Sequence, residues 1–350
     1  MSHEFIFFGA FALFIVLMLA LDLGVFHKED KPVSFKQAAI MSAIWVSFAI
    51  GFYFFLKTEG QHLHNIKDQA HLEQVVKDHQ HNISVDSPIF LENLHRYTDN
   101  LSLEFITGYV IEYALSVDNI FVIVLIFTAF GVNEKYYHRV LFWGILGAVV
   151  MRFIFIFLGS TLINEFGWIL YLFGAFLVYS GLMMFLTKDE DEKIDPENHK
   201  VVKFASRFFP VHPEYVGHNF FHRINGKFFI TPLFLVLLVV EFTDVIFAVD
   251  SIPAIFAVTK DPYIVFFSNI FAILGLRSMF FLLVNVIHKF HYLKTGLSIL
   301  LMFIGLKMLA HTWLKELGFT TIHSLFIILT ILTLSVVASL VFPKKPKKLD

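Results

Sequence analysis

Two apolar segments of this chain carry side chains that could ligate a metal ion or move protons. They are Glu112, Asp118 and Asn119 in the first segment and Glu241, Asp244, Asp250 and Ser251 in the second. The sequence around each is apolar enough to cross a bilayer, where a charged carboxylate costs several kcal/mol. Acids in such a place act most simply as metal ligands or proton carriers, so the pattern predicts a pathway for a polyvalent cation.

Oxygen atoms make up the whole predicted ligand set. Carboxylate, amide, hydroxyl and backbone carbonyl oxygens suit hard divalent ions such as Mn²⁺, Mg²⁺ and Ca²⁺ better than Zn²⁺ or Cu²⁺. The 350 residues include no cysteine, which excludes disulfides, iron–sulfur clusters and thiolate metal sites. We therefore expect a site for a hard divalent ion.

The charges predicted to lie within the membrane do not balance. Away from the ends of the apolar stretches, where Glu104 lies too near an end to count, six carboxylates stand against three basic side chains: Asp22, Glu112, Asp118, Glu241, Asp244 and Asp250 against Arg152, Arg277 and Lys307. Arg152 and Arg277 are expected to pair with some of these acids, but the surplus requires a divalent cation, protons or both. Asp22, near the cytoplasmic end of the first span, either lines the exit of the pathway or simply meets solvent.

Helical spacing limits which of these acids can meet one ion. At about 100° per residue, Glu241 and Asp244 lie on one face of a helix, whereas Asp250 points to the opposite face. Pro253 cannot donate a backbone hydrogen bond and should kink or unwind the helix around it. The freed carbonyls beside Asp250 and Ser251 would then face the cavity as further ligands.

The composition indicates a multispanning membrane protein. It is 57% hydrophobic and 16% charged, and its mean hydropathy is +0.70, far outside the range of a soluble domain. A bilayer core requires roughly 20 apolar residues per helix. Nine stretches meet that length: 5–26, 37–56, 102–128, 139–163, 166–187, 228–257, 264–288, 295–313 and 320–342. The predicted fold is an all-α polytopic membrane helical bundle.

Basic residues set the expected orientation. With the N-terminus outside, most Lys and Arg residues fall in cytoplasmic segments, as the positive-inside rule requires. The basic tail after Phe342 follows from the same rule and from attraction to anionic lipid, so it indicates no nucleic-acid partner. We expect a multi-pass plasma membrane protein of the bacterial inner-membrane type, with the N-terminus outside and the C-terminus in the cytoplasm.

Two polar loops separate the predicted spans. The external loop, 57–101, is acidic and carries six histidines: His62, His64, His71, His79, His81 and His95. It is either an antechamber that captures metal ions or a solvated hairpin that happens to be rich in histidine. The cytoplasmic loop, 188–227, opens with four acidic residues and is interpreted as a linker or regulatory loop.

Spans three to five and six to eight look like two copies of one unit. Asp118 aligns with Asp244, Arg152 with Arg277, and Gly181 with Gly305. Three spans is an odd number, so the second copy must enter the membrane in the opposite direction, as in secondary transporters with a substrate site near the midplane. The predicted organisation is a two-helix segment (1–56), the external loop (57–101), a first repeat (102–187), the cytoplasmic loop (188–227), a second repeat (228–313), and a last span with its tail (314–350).

The two acidic segments resemble the signature of the TerC family of integral membrane proteins, named for tellurium resistance. Glu112 to Asn119 matches an acidic residue followed by S-x-D-N, and Glu241 to Ala254 matches E-x-x-D-x-x-F-A-x-D-S-I-P-A. The resemblance implies a 3+3 inverted-repeat fold and a part in manganese export or tellurite resistance. It also implies functional roles for Glu112, Asp118, Asn119, Glu241, Asp244, Asp250 and Ser251.

These observations together favour an exporter of a divalent metal ion, foremost Mn²⁺, with proton exchange as a driving force. No enzymatic activity and no resident cofactor are expected, and no Walker loop supports ATP-driven pumping. Three alternatives remain: a membrane scaffold that confers tellurite resistance through partner proteins, an oxyanion exporter that uses Arg152 and Arg277, and an intramembrane aspartyl protease. The Gly-x-Gly-Asp element that such proteases carry is absent from the sequence. The oligomeric state is left open.

Overall fold

The computed structural model describes residues 33–186, 199–284 apart from 225, and 292–342, together with 9, 11 and 13–18. These residues form helices and one small hairpin. The helices are α1 (Phe35–Glu59), α2 (Gln69–Asp78), α3 (Phe90–Ala129), α4 (Tyr137–Glu165), α5 (Ile169–Leu186), α6 (Lys200–Phe208), α7 (Pro232–Phe256), α8 (Pro262–Val284), α9 (Leu293–Leu309), α10 (His311–Glu316) and α11 (Thr321–Val341). The strands are β1 (Phe221–Ile224) and β2 (Lys227–Ile230).

Seven helices in the described part of the chain are long and apolar enough to cross a membrane: α1, α3, α4, α5, α7, α8 and α11. The prediction of a helical membrane bundle is confirmed. Nine spans remain a prediction, because most of the first stretch, 5–26, lies outside the described residues. The eighth predicted span is shorter than expected: α9 has 17 residues and ends at Leu309, since the backbone leaves the helical conformation at Ala310.

The helix starts follow from local chemistry. Ser34 caps α1 by accepting a hydrogen bond from the backbone N–H of Gln37, and the side chain of Gln37 accepts one in return from Ser34. Thr231 caps α7, and Pro232 occupies the first helical position, where its missing N–H costs nothing. The sixth span therefore begins at Pro232, whereas the sequence predicts it to begin at 228.

Helix α8 is the centre of the bundle. Every residue from Ile264 to Phe281 is buried, and the helix packs against α1, α3 and α4. Helices α3 and α8 can approach closely at Gly108 because glycine has no side chain. A Cβ atom at this position would lie only 2.9 Å from the hydroxyl oxygen of Ser268. Because α8 is buried on all sides, its sequence has no polar face.

Helices α5 and α9 form the tightest helix pair. A Cβ atom on Gly305 would lie 2.6 Å from the carbonyl oxygen of Gly174, and one on Gly181 would lie 2.7 Å from that of Ser298. Small residues at such positions let membrane helices approach closely. Helix α3 likewise contacts α7 and α4 contacts α8, so each helix of the first proposed repeat touches its counterpart in the second. The repeat itself remains a prediction.

From residue 199 onward, the segment between α5 and α7 contains regular secondary structure that the predicted loop 188–227 did not include. Its described part contains α6 and an antiparallel hairpin in which Phe221 pairs with Ile230. The hairpin turns at Gly226, whose φ of +82° favours glycine. This hairpin is a small exception within an otherwise helical fold.

The predicted external loop, 57–101, is also largely helical. Helix α3 begins at Phe90 rather than at 102, and its 40 residues include buried Asn93, Tyr97 and Leu101 ahead of the predicted span. Leu63 and Leu72 of the preceding segment are buried too. The interpretation as a solvated hairpin is wrong, because the segment packs its apolar side chains against the bundle.

Candidate metal centre

A fully buried arginine joins the two acidic segments. Helix α4 places Arg152 so that its guanidinium donates to Glu112 on α3 and to the side-chain oxygen of Asn269 on α8. It also lies 3.5 Å from the Oδ1 atom of Asp244 and 3.4 Å from the hydroxyl of Ser251, both on α7. Side chains from four helices thus meet at one point within the bundle.

The cluster around Arg152 is incompletely satisfied. Glu112 Oε2 and Asp244 Oδ2 have no hydrogen-bond partner among the described residues, and neither has the amide nitrogen of Asn119. Two carboxylates share one guanidinium, which leaves an excess of negative charge at this point. Buried polar atoms of this kind are normally satisfied by a ligand, a water molecule or a proton.

A small cavity adjoins the cluster. Its volume is about 30 Å³, and its polar lining comes from Asn119 on α3 and from Thr243 and Asp244 on α7. Apolar residues of α4 and α8 close the remaining sides. Since a water molecule needs roughly 10–15 Å³ of such volume, the cavity can hold one or two water-sized species.

Glu241 lies on the same side of α7 as Asp244, as the helical spacing predicts. Its carboxylate rests against Gly147 of α4, where any Cβ atom would collide with it. The side chain is partly buried and borders a wider cleft between α4 and α7. Glu241 and Asp244 therefore both face α4, one turn apart.

The side chain of Asp250 points toward α5 and not toward Arg152. Its Oδ1 atom accepts a hydrogen bond of 3.0 Å from Ser180 on α5, whereas its neighbour Ser251 faces Arg152. The predicted unwinding of the helix near Pro253 is wrong: α7 continues through Pro253 to Phe256. A single missing backbone hydrogen bond does not unwind a helix packed on several sides, so Asp250 is not brought to the Arg152 cluster.

The remaining predicted residues occupy varied places. Asp118 is half-buried on α3, and Arg277 is fully buried in α8. Asp22 lies outside the described residues. Lys307, counted among the basic residues of the spans, is close enough to Glu104 to interact electrostatically with it.

A second polar cluster lies where the α1–α3 connection meets the α7–α8 connection. Buried His64 contacts Asp261, with 2.8 Å between Nε2 and Oδ2, and buried His81 contacts Glu104, with 3.0 Å between Nδ1 and either carboxylate oxygen. Thr259 donates a hydrogen bond of 2.6 Å to Glu104. Sequence reasoning set Glu104 aside as too near a helix end and did not identify Asp261, although the abundance of histidine marked the segment.

In this second cluster, each close histidine–carboxylate pair favours the charged form of a partner. Burial opposes ionisation of Asp261, but the charge and hydrogen bond of His64 outweigh it and hold the pKa of Asp261 well below its ordinary value. Burial also opposes protonation of His81, yet Glu104 raises the pKa of His81 overall. The pKa of His79, which lacks so close a carboxylate, is lowered, chiefly by burial.

Comparison with known proteins identifies relatives along nearly the whole chain. Residues 97–347 match the model of the integral membrane protein TerC family. An "Uncharacterized membrane protein STKORF319" of Myxococcus xanthus is 43% identical, with 95% of this chain and 91% of that protein covered. Proteins named "Putative membrane-bound redox modulator Alx" are 43% identical in Photorhabdus laumondii and 42% in Escherichia coli, with 86% of this chain and 85% or 84% of those proteins covered. No solved structure matches.

Proposed function

Because the chain belongs to the TerC family of integral membrane proteins, we propose that it exports a divalent metal ion, foremost Mn²⁺, in exchange for protons. One observation carries the proposal: Glu112 and Asp244 share Arg152 deep within the bundle and keep one oxygen each without a hydrogen-bond partner among the described residues. Acids at membrane depth are characteristic of ion pathways and proton relays. The small cavity beside Asp244 offers a place for a dehydrated ion.

The choice of ion follows from the ligands. The cavity is lined by hard oxygen donors of Asn119, Thr243 and Asp244, without histidine or sulfur. The carboxylate of Glu112 and the hydroxyl of Ser251 lie beside the same Arg152 that contacts Asp244. Such donors suit Mn²⁺, Mg²⁺ and Ca²⁺. Mn²⁺ is placed first because the family resemblance points to manganese.

Proton exchange follows from the charge excess. When no metal ion is bound, two carboxylates beside one guanidinium leave a negative charge in a medium that disfavours it, and a proton is the simplest replacement. Departure of the metal ion would then be accompanied by proton uptake. The exchange would couple Mn²⁺ export to the proton gradient.

Efflux of radiolabelled Mn²⁺ from cells that express the full chain tests this proposal. Asp244→Asn and Glu112→Gln keep the side-chain shape but remove a charge, and each is expected to lower the efflux rate about tenfold or more. Asp86→Asn, in an exposed carboxylate of the α2–α3 connection, is the matched control. Unchanged efflux in both cluster variants, at equal amounts of folded protein, would sink the proposal and leave the acids as structural parts of a scaffold.

Other functions have less support in this molecule. Oxyanion export through Arg152 would require the anion to displace Glu112 and Asp244, which already occupy the guanidinium. The name of the Alx relatives refers to redox modulation, but this chain has no cysteine and cannot perform thiol–disulfide exchange. Export of a metal cation therefore remains the best-supported function.

A further inference from the structure

Three side chains at one end of the bundle form a compact set of metal-ligand atoms. Nitrogen atoms of His64 and His79 and a carboxylate oxygen of Asp261 all lie within 4.8 Å of one another. His64 and Asp261 are buried, whereas His79 is only partly buried and leaves the set open on one side. Under the predicted orientation, this end of the bundle faces the outside.

His81 adds an independent sign of a missing ligand. Its Nδ1 atom is held by Glu104, while its buried Nε2 atom has no hydrogen-bond partner among the described residues and lies 4.0 Å from the Oδ2 atom of Asp261. A histidine with a carboxylate behind one ring nitrogen and a free second nitrogen is the usual arrangement around a bound metal ion. Packing alone gives no reason for a buried nitrogen to be left unsatisfied beside a carboxylate.

We propose that His64, His79 and Asp261 bind a divalent transition-metal ion of the Zn²⁺ class, with His81 as a fourth ligand positioned by Glu104. Two or three imidazole nitrogens and one carboxylate oxygen match the donors that Zn²⁺ prefers, in contrast with the all-oxygen set around Arg152. The two sites thus differ in the ions they favour. The proposal concerns binding alone and does not depend on transport.

The distances are compatible with tetrahedral coordination. At metal–ligand distances of about 2.0–2.2 Å, neighbouring ligand atoms of a tetrahedral zinc site stand about 3.3 Å apart. The Asp261 oxygen already lies 2.8 Å from His64 and 4.0 Å from His81. Among His64, His79 and Asp261, whose ligand atoms lie within 4.8 Å of one another, a contraction of about 1.5 Å at the widest pair would therefore suffice. His79, at the open side, is the residue best placed to move.

Titration of purified, chelator-treated full-length protein with Zn²⁺ and with Co²⁺ tests the proposal. His79→Gln is the decisive variant, because His79 is the least buried ligand and should be replaced with little loss of packing. We expect it to weaken Zn²⁺ binding at least about tenfold and to abolish the visible absorption of tetrahedral Co²⁺. His95→Gln, in an exposed histidine of α3, is the matched control and should leave both signals unchanged.

Further variants separate ligation from folding and from transport. His64→Gln and Asp261→Asn should also abolish the Co²⁺ signal, and the melting temperature of His79→Gln without metal should equal that of the wild type. Asp244→Asn, which tests export, should retain the Zn²⁺ site, so the two proposals can fail separately. Absence of tight Zn²⁺ binding in the wild type, or equal binding by His79→Gln and His95→Gln, would overturn the inference and leave a hydrogen-bonded cluster of structural importance only.

Discussion

Arg152 on α4 contacts side chains of three other helices, α3, α7 and α8. It is fully buried, and its partners include both Glu112 and Asp244. An arginine can satisfy several acceptors at once because its guanidinium presents five N–H donors in a fixed plane. The residue therefore stabilises the bundle while holding two carboxylates together, one of which, Asp244, lines the cavity.

Removal of this arginine should destabilise the protein more than removal of the whole ion pair. We expect Arg152→Gln to lower the free energy of unfolding by about 3–5 kcal/mol, because it leaves buried carboxylates without a counter-charge. Adding Glu112→Gln should restore part of that loss. Thermal unfolding in detergent measures both, and equal melting temperatures for the single and the double variant would contradict this account.

Gly147 provides the space that Glu241 occupies. A methyl group at this position would push the carboxylate aside, since the flexible end of Glu241 is the nearest neighbour. Gly147→Ala should therefore lower Mn²⁺ efflux severalfold with little change in melting temperature. Gly159→Ala, on the same helix, meets only Phe256 at 3.4 Å and is the control. Normal efflux by Gly147→Ala would remove Glu241 from the pathway.

At the scale of elements, the α5–α9 pair depends on glycine. Gly305 faces backbone atoms of α5, which cannot rotate away as a side chain can. Gly305→Ala should force the helices apart and cost about 1–3 kcal/mol of unfolding free energy. Gly51→Ala, at a position of α1 with open space around it, should be neutral or slightly stabilising in the same thermal unfolding measurement. Equal stability of the two variants would show that this interface tolerates separation.

For the whole molecule, orientation can be tested without background labelling, because the chain has no cysteine. Lys77→Cys in α2 and Ser206→Cys in α6 introduce single thiols at exposed positions on the two predicted sides. A membrane-impermeant maleimide should label the first in intact cells and the second only after permeabilisation. The reverse pattern would overturn the predicted placement of the N-terminus outside.

The two proposed metal sites occupy different parts of the molecule. The oxygen-rich cluster lies within the spans, where histidine is absent from the cavity lining, and the histidine cluster lies where two connections meet. Each set of ligands comes from segments far apart in sequence, such as residues 64 and 261. Both proposed sites therefore depend on the folded bundle.

Sequence alone determined the membrane environment and the helical class, because these follow from composition and from the length of the apolar stretches. It also predicted correctly that Glu241 and Asp244 share a face of α7 while Asp250 does not, since helical periodicity is a local property. The resemblance to the TerC family rested on the same residues and is confirmed.

Only the tertiary structure decided which charges meet. Arg152 joins Glu112 and Asp244, Asp250 turns to Ser180, and α7 stays helical at Pro253. It also packed the histidine-rich segment against the bundle and brought Asp261 to His64 across 197 positions of sequence. Such pairings depend on how helices pack, which is a property of distant side chains in combination, and no local pattern of residues encodes it.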